Sequence, residues 1–314
     1  MVNQIFEKRM AIQDISTRHL RYFLAAAETG QFSLAAHAVH VSQTAITNAI
    51  ASLESLLGVK LFDRHPHGVT LTAEGHHFVQ HAQHVLNALN DAVRAPAFRT
   101  YDVSGEIRIA ASYTVMGYFL PQYLARFQRT HPGVKLKLME LHRLELEEAV
   151  KNGEVDVAIA VTSNVGPSKG LVGEPLVRSR RQLWTASDHP LCSASEVSLK
   201  DISQYPLIQI MVDDAGESAK RYWEKRGLTP NLLLETESME AVRTFVGLGL
   251  GVAILSDLVF RPWTLDGRKI EARPITDVVP PMEIGIVRRI SREQAPAAEA
   301  FARFLKLACG AATT

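Results

Sequence analysis

The chain has 314 residues, 46% hydrophobic and 21% charged, with a formal net charge of +1. That length and apolar content are enough for more than one compact unit with its own core. No run of 18 apolar residues and no signal-peptide pattern occurs, so the sequence reads as neither membrane-spanning nor secreted and is expected in the cytoplasm.

Residues 1–15 are polar and aperiodic. They read either as an N-terminal extension or as residues ahead of a start at Met10. From Leu20 the pattern becomes periodic. Leu20, Phe23, Leu24 and Ala27 stand at i, i+3, i+4 and i+7, which predicts a helix that Gly30 stops. Ser33 is placed to cap a short second helix through Val39, His40 and Val41 form a turn, and Ser42 is placed to cap a third helix. Ile46, Ile50, Leu53 and Leu57 form its inner face, and Gly58 ends it. Gln43, Thr44, Thr47 and Asn48 fall near its N-terminal end, mostly on the opposite face, where short polar side chains reach base edges and phosphates. Val59 to Phe62 and Val69 to Leu71 are strand-like runs around a tip, Arg64-His65-Pro66-His67-Gly68, with one fixed positive charge.

This succession is that of a winged helix-turn-helix, expected over residues 16–72, which sets one helix in a DNA major groove and a hairpin beside it. The candidate DNA contacts are Ser33, Ser42, Gln43, Thr44, Thr47, Asn48, Arg64, His67 and Thr72. Charge argues less clearly. Residues 1–95 hold seven Lys or Arg and seven Asp or Glu, whereas a basic patch is the usual footprint of nucleic-acid binding. Nine of the twelve histidines lie in this segment. DNA affinity is therefore expected to be sensitive to pH below about 7.

Thr72 begins the next element. Phe78, Ala82, Val85, Leu89 and Ala92 recur at helical spacing over residues 73–95, and Pro96 closes the run. A helix of ~20 residues with one narrow apolar stripe does not bury that stripe alone. His77 and His81, at i and i+4 beside His76 and His84, have a spacing that can hold a metal ion; the competing reading is a solvated helix face. No Cys or nearby carboxylate completes a site within one chain, so no metal is expected. Residues 96–105 read as a hinge.

From Glu106 strands and helices alternate. Ile107–Ala111, Val134–Leu141 and the nearly continuous apolar run Val155–Ala160 read as strands, with helices over Met116–Arg129 and Leu144–Lys151 between them. A second set follows: strands at Leu183–Ala186, Pro206–Ile210, Leu232–Glu235 and Val252–Leu255, with helices at about Ser218–Arg226 and Met239–Leu248. Glu283–Arg289 is a late strand and Ala297–Leu307 a final helix. Late elements returning to the first sheet make two crossings between two lobes. The predicted class is thus α+β and multidomain. It comprises a winged helix-turn-helix with a long linker helix, then a two-lobed α/β domain of periplasmic-binding-protein type over 106–314. Lobe I spans about 106–178 and 283–314, and lobe II about 179–282.

The stretch from Leu20 to Gly75 carries LRYF, AA, VSQ, LE, LGVKLFDR and LTAEG in order. It resembles the N-terminal domain of the LysR-type transcriptional regulators, and the likeness continues to about residue 310. The resemblance implies that the linker helix pairs antiparallel with a partner through Phe78, Ala82, Val85 and Leu89, holding two DNA-binding heads apart. It further implies a homodimer or homotetramer on double-stranded DNA with imperfect dyad symmetry, with RNA polymerase a candidate further partner. One departure is specific. The family usually carries Pro at the position of Thr44 and a Ser-Arg pair at Thr47-Asn48, so loss of that arginine removes a base or phosphate contact and the typical operator is not expected.

In such two-lobed folds the ligand lies where strand ends and helix N-termini face a cleft. The first strand ends at Ser112-Tyr113-Thr114, two hydroxyls and free backbone N–H groups suited to a carboxylate or phosphate. Thr162 and Ser163 follow the third strand, and Gln209, Met211 and Glu237 come from the second lobe. The resemblance implies effector binding at the positions of Ser112, Thr114, Thr162 and Met211. Asp213, Asp214 and Glu237 near the opening disfavour a highly anionic effector unless they are paired. A monocarboxylate or a mixed polar and apolar metabolite is preferred, with no cofactor.

Competing classes leave weaker traces. No P-loop, strand-linked GxGxxG, GxSxG or HExxH occurs, and Gly247 to Gly251 reads as a turn between helix and strand, so no enzyme is expected. Cys192 and Cys309 read as plain thiols, with a redox switch as the alternative. A transport-type solute-binding protein lacks the N-terminal unit. The sequence is thus expected to be a DNA-binding regulator whose operator binding or DNA bending responds to a small effector, with an effector-free regulator as the alternative.

Overall fold

A computed structural model describes residues 14–65, 68–94, 103–163, 170–290 and 295–310. Most of the expected N-terminal extension and of the hinge at 96–105, together with His67, lies outside the described residues. The chain divides into two compact units, Met1–Arg99 and Thr100–Thr314.

In the first unit, helices α1 (Thr17–Thr29), α2 (Phe32–Ala38) and α3 (Gln43–Leu57) precede a hairpin of β1 (Phe62–His65) and β2 (Gly68–Leu71) and a long helix α4 (Ala73–Arg94). Gly30 and Gly58 close α1 and α3 in left-handed backbone, at φ 67° and 71°, which glycine adopts without a Cβ penalty. The Ser42 hydroxyl accepts from Ala45 N–H at 3.2 Å and caps α3. Ser33 does not cap α2. Gln31 holds that position, its carbonyl accepting from Ala35 N–H at 2.9 Å, so Ser33 falls inside the first turn.

Phe23, Ile46, Ile50, Leu53 and Phe62 fill the core. Phe78 meets Phe23 edge-on at 5.0 Å between ring centroids, and Ala82 is 1% exposed. Both therefore pack the head's own core, and the part of the linker stripe that remains outward is Val85 and Leu89, 53% and 42% exposed. That corrects the expectation that all four residues form one intermolecular face. The run Val59–Phe62 is also not the first wing strand, which starts only at Phe62. The N–H groups of Leu61 and Phe62 point to the buried carboxylate of Glu54, at 2.8 and 3.2 Å, and not into a strand ladder.

In the second unit, lobe I is a sheet of order β4-β3-β5-β12-β6 among the described residues. Its strands are β3 (Gly105–Ala111), β4 (Val134–Glu140), β5 (Val157–Val161), β6 (Leu171–Ser179) and β12 (Met282–Arg289). The first three are parallel, and β12 lies antiparallel between β5 and β6. A π turn at Val115–Phe119 runs into helix α5 (Leu120–Thr130), which with the last helix (Pro296–Gly310) covers the sheet through Phe119, Phe127, Phe301 and Phe304. Helix α6 (Arg143–Asn152) lies over Ala110, Ala158 and Ala160 in a smaller core. The sequence pattern did not mark β6. Pro175 sits in it, an edge strand where a missing N–H is tolerated, and the register slips opposite Ile284 and Gly285.

Lobe II carries the antiparallel set β10 (Ala253–Ser256), β7 (Arg181–Ala186) and β11 (Ile270–Arg273) and the parallel pair β8 (Pro206–Ile210) and β9 (Asn231–Thr236). Helices Ala215–Lys225 and Met239–Gly247 pack on them around Trp184, Trp223, Val242 and Val246. The chain crosses from lobe I to lobe II at Arg180 and returns between Arg273 and Met282, the two crossings expected of this architecture.

Burial pushes the Glu54 carboxyl up, but the Leu61 N–H, the Lys60 ammonium and the Phe62 N–H outweigh it and hold the group below its ordinary range. Glu54→Ala leaves two buried N–H groups unpaired and is expected to destabilise the head by about 1–3 kcal/mol. All three tryptophans, Trp184, Trp223 and Trp263, lie in the second unit. The loss is therefore read as an earlier far-ultraviolet circular-dichroism transition with unchanged tryptophan fluorescence. Because the folded pKa is depressed, the stabilisation is present at neutral pH and disappears as pH falls through that depressed value.

Candidate functional site

The exposed end of α3 presents Gln43, Thr44 and Asn48 to solvent, with Thr47 half-buried beside them. The Thr47 hydroxyl donates to the Gln43 carbonyl at 3.0 Å, leaving the methyl group and the acceptor lone pairs for a partner. Ser33 and Ser42 are exposed at the starts of α2 and α3. Arg64 is exposed on β1, with its guanidinium carbon 5.3 Å from the centroid of Phe32, so its charge is held over the ring and not at the tip. Thr72 works within the head: its hydroxyl donates to the Lys60 carbonyl at 2.7 Å and accepts from Gly75 N–H at 3.0 Å, tying the wing to α4. A Cβ on Gly75 would lie 2.2 Å from the Leu61 carbonyl, so that junction is tight.

The second site is the cleft between the lobes, a cavity of about 40 Å³. Thr114, Arg181, Gln209, Asp213, Tyr222 and Ser256 supply its polar wall, and Val161, Ile210, Met239, Ile254 and Met282 its apolar one. Of the candidate effector residues, Thr114 and Gln209 line it. Ser112 is buried just behind, 3% exposed, with no hydrogen-bond partner for its hydroxyl. The half-buried Tyr113 pairs its phenol oxygen with the backbone of Met239 in lobe II; burial, with the neighbouring Tyr118, raises its pKa against that bond. Thr162 and Ser163 do not face the cavity. The Thr162 N–H donates to the Glu283 carbonyl at 2.8 Å, and the Ser163 hydroxyl accepts from Glu283 N–H at 3.0 Å, so both fasten β5 to β12. Met211 N–H donates to the Thr236 carbonyl, and its side chain packs on Gly216. Glu237 is exposed and outside the lining.

Sequence reasoning missed Arg181, Tyr222 and Ser256. The Ser179-Arg180-Arg181 run at the first crossing was the available signal. Arg181 donates from Nη1 to the Pro280 carbonyl at 2.9 Å and the Ser218 hydroxyl at 3.1 Å, and burial lowers its pKa. Burial also pushes the Tyr222 phenol up to about 12, so it is a neutral donor at physiological pH. Of the acidic residues near the opening, Asp213 and Asp214 are paired. Asp213 Oδ2 accepts from Thr114 N–H at 2.9 Å, and Asp214 Oδ2 lies 3.1 Å from Arg143 Nη1.

A helix-turn-helix head followed by a two-lobed domain with a polar cleft defines a ligand-responsive DNA-binding regulator. Two family descriptions match: "Bacterial regulatory helix-turn-helix protein, lysR family" over residues 17–76 and "LysR substrate binding domain" over 102–310. The regulator CysB of Burkholderia cenocepacia is 33% identical over 250 residues, 78% of this chain and 79% of that protein. The crystal structure of HinK, a LysR family regulator from Pseudomonas aeruginosa, matches with TM-score 0.62 at 25% identity, over 93% of this chain and 98% of that one. At the level of fold, full-length CbnR in complex with its target DNA matches with TM-score 0.55 and 23% identity, over 94% of this chain and 100% of that one. The chain belongs to the LysR family of DNA-binding transcriptional regulators, with a small-molecule effector domain following the head.

Among the described residues, no group of three or more His, Cys, Asp or Glu side chains converges on a common point, and no helix is long and apolar enough to cross a membrane. Cys309 is 1% exposed; burial pushes its thiol up to about 11 against a hydrogen bond to Tyr123. Cys192 is half-buried beside Thr185, and burial raises it too. Both are protonated thiols near neutral pH, poor nucleophiles by that measure. A thiol-reactive dye at pH 8 is therefore expected to label the native chain slowly and the denatured chain completely. Fast labelling of either cysteine in the native chain would revive the redox reading.

Proposed function

We propose that this regulator reads its operator with Gln43, Thr44, Thr47 and Asn48, and that a small molecule entering the interlobe cleft controls that binding. The exposed polar end of α3, standing on a fully buried inner face of Ile46, Ile50 and Leu53, carries the first half of the reading. Neutral amide and hydroxyl groups stand where the family usually has an arginine, which favours an operator read by hydrogen bonds to base edges over one held mainly by phosphate contacts. The second half draws on the cleft lining. Its donors, Thr114, Arg181, Gln209 and Tyr222, suit a small molecule bearing a carboxylate, and its apolar residues suit a short hydrocarbon part.

The protein acts by binding and not by catalysis, in the cytoplasm, as a homodimer or homotetramer. The outward Val85 and Leu89 of α4 support self-association. Two heads on one operator imply imperfect dyad symmetry, since a two-fold protein reads two half-sites. An effector changes the spacing of the heads only if it binds one arrangement of the lobes better than the other.

Selection of binding sites from random duplexes, followed by footprinting, tests the first half, with a dyad of half-sites as the expected result. Thr47→Ala and Asn48→Ala are each expected to weaken binding to the selected site about five- to tenfold, about 1 kcal/mol, while the oligomer by light scattering is unchanged. Full affinity in both variants would remove α3 as the reading helix. For the second half, a metabolite library is screened by thermal shift on the full chain. Stabilisation by one chemical class, with a matching change in footprint, is expected; a flat screen would leave an effector-free regulator.

A further inference from the structure

The cleft already holds an anion from its own chain. Asp213 Oδ2 accepts the Thr114 N–H at 2.9 Å across 99 residues of sequence. That N–H belongs to the first turn of the helical run from Tyr113 to Thr130, where free backbone donors and the helix dipole favour negative charge. To reach it, Asp213 and Asp214 stand side by side in left-handed backbone at φ 54° and 56°, a conformation that non-glycine residues keep only when their surroundings enforce it. Asp214 is held in turn by Arg143 of α6 at 3.1 Å. These two contacts pin a lobe II segment to lobe I. The cavity of about 40 Å³ beside these contacts is lined by both lobes.

We propose that Asp213 is a built-in competitor for the effector. The ligand is a monoanion whose carboxylate takes over the Thr114 N–H from the Asp213 side chain. The inference rests on the cleft being the effector site, and it names both the class of ligand and the residue that sets its affinity. The class follows from what must be replaced. A group accepting from Thr114 N–H has to offer lone pairs and negative charge to match the leaving carboxylate, and Arg181 and Tyr222, both donors, stand on the same lining. A cation would set donor against donor. A doubly charged ligand would meet the displaced Asp213 and the neighbouring Asp214 at short range. Val161, Ile210 and Met282 are left for a short apolar body.

Displacement also explains why binding acts on the lobes. Asp213 reaches Thr114 only while the lobes are close, so a ligand that evicts it favours the arrangement in which the Asp213-Asp214 segment is released. An internal competitor that occupies the site ~90% of the time lowers apparent ligand affinity about tenfold.

The test titrates full-length protein with sodium acetate at ionic strength held constant with sodium chloride, read by calorimetry and by thermal shift. Asp213→Gly removes the carboxylate and suits the positive φ, and Asp213→Asn keeps the size without the charge. Both variants are expected to bind acetate at least about tenfold more tightly than the native chain, with Arg181→Met in the Asp213→Gly background losing most of that gain. Equal acetate affinity in the native chain and both variants would overturn the competitor while leaving the cleft as an anion site. No acetate binding by either folded variant would overturn it as well, and the metabolite screen would then decide alone whether the cleft takes a ligand of another class.

Discussion

Inside the DNA-binding head, the N–H groups of Leu61 and Phe62 would be stranded were it not for the carboxylate of Glu54, which accepts from both and is itself 5% exposed. The bond does more than satisfy two donors. It fixes the last turns of α3, whose other end presents Gln43, Thr44 and Asn48 to solvent, to the point where the wing begins. Lys60 sets its ammonium 3.0 Å from the second oxygen of the same carboxylate, and the Lys60 carbonyl takes the Thr72 hydroxyl that starts α4. Recognition helix, wing and linker helix are thereby held around one charged group, which is why a substitution there reaches all three.

Among its described residues the effector unit has no comparable single anchor. Its two lobes have separate cores, and the chain passes between them at Arg180 and again before Met282. What joins them elsewhere is local: Leu258 packs on the lobe I core and Tyr118 on the lobe II core, and the other contacts are polar. Tyr113 meets the Met239 backbone, Arg243 donates to the Tyr118 hydroxyl at 3.2 Å, and the aspartate pair meets Thr114 and Arg143. Such contacts are individually weak and form or break without disturbing a packed core. A two-lobed body with separate cores and a narrow seam is the kind of body in which a ligand can favour one arrangement of the lobes over another.

Much of this was legible in the residues because the dominant signals are local. Gly30 and Gly58 announced the ends of α1 and α3, Ser42 its cap, and the unbroken apolar run before Thr162 a strand buried on both faces. Most of the misses share one cause, a partner that the local pattern does not reveal. Nothing near Val59 shows that Glu54 will claim the following N–H groups and delay the wing strand. Phe78 and Ala82 look like an intermolecular stripe until Phe23 is known to lie beneath them. The strand at Leu171–Ser179 hid behind Pro175 because only its place at the sheet edge makes the proline harmless. In the cleft, Asp213 and Thr114 were both noticed singly, and the bond between them is a product of the fold.

Charge sets how these parts combine on DNA. A head that is close to neutral draws little from counterion release, which supplies most of the affinity of basic DNA-binding proteins for any sequence. On the proposed reading, its hold on DNA comes from base-edge hydrogen bonds at α3 and from engaging two half-sites at once, where the second contact benefits from a high effective concentration. Affinity built this way depends steeply on the distance between heads, because a mismatch of spacing forfeits the second contact while a weak first contact cannot hold alone. If an effector alters that spacing as proposed, a small change of geometry has a large effect at the operator, and the near-neutral head is the feature that makes the regulator responsive.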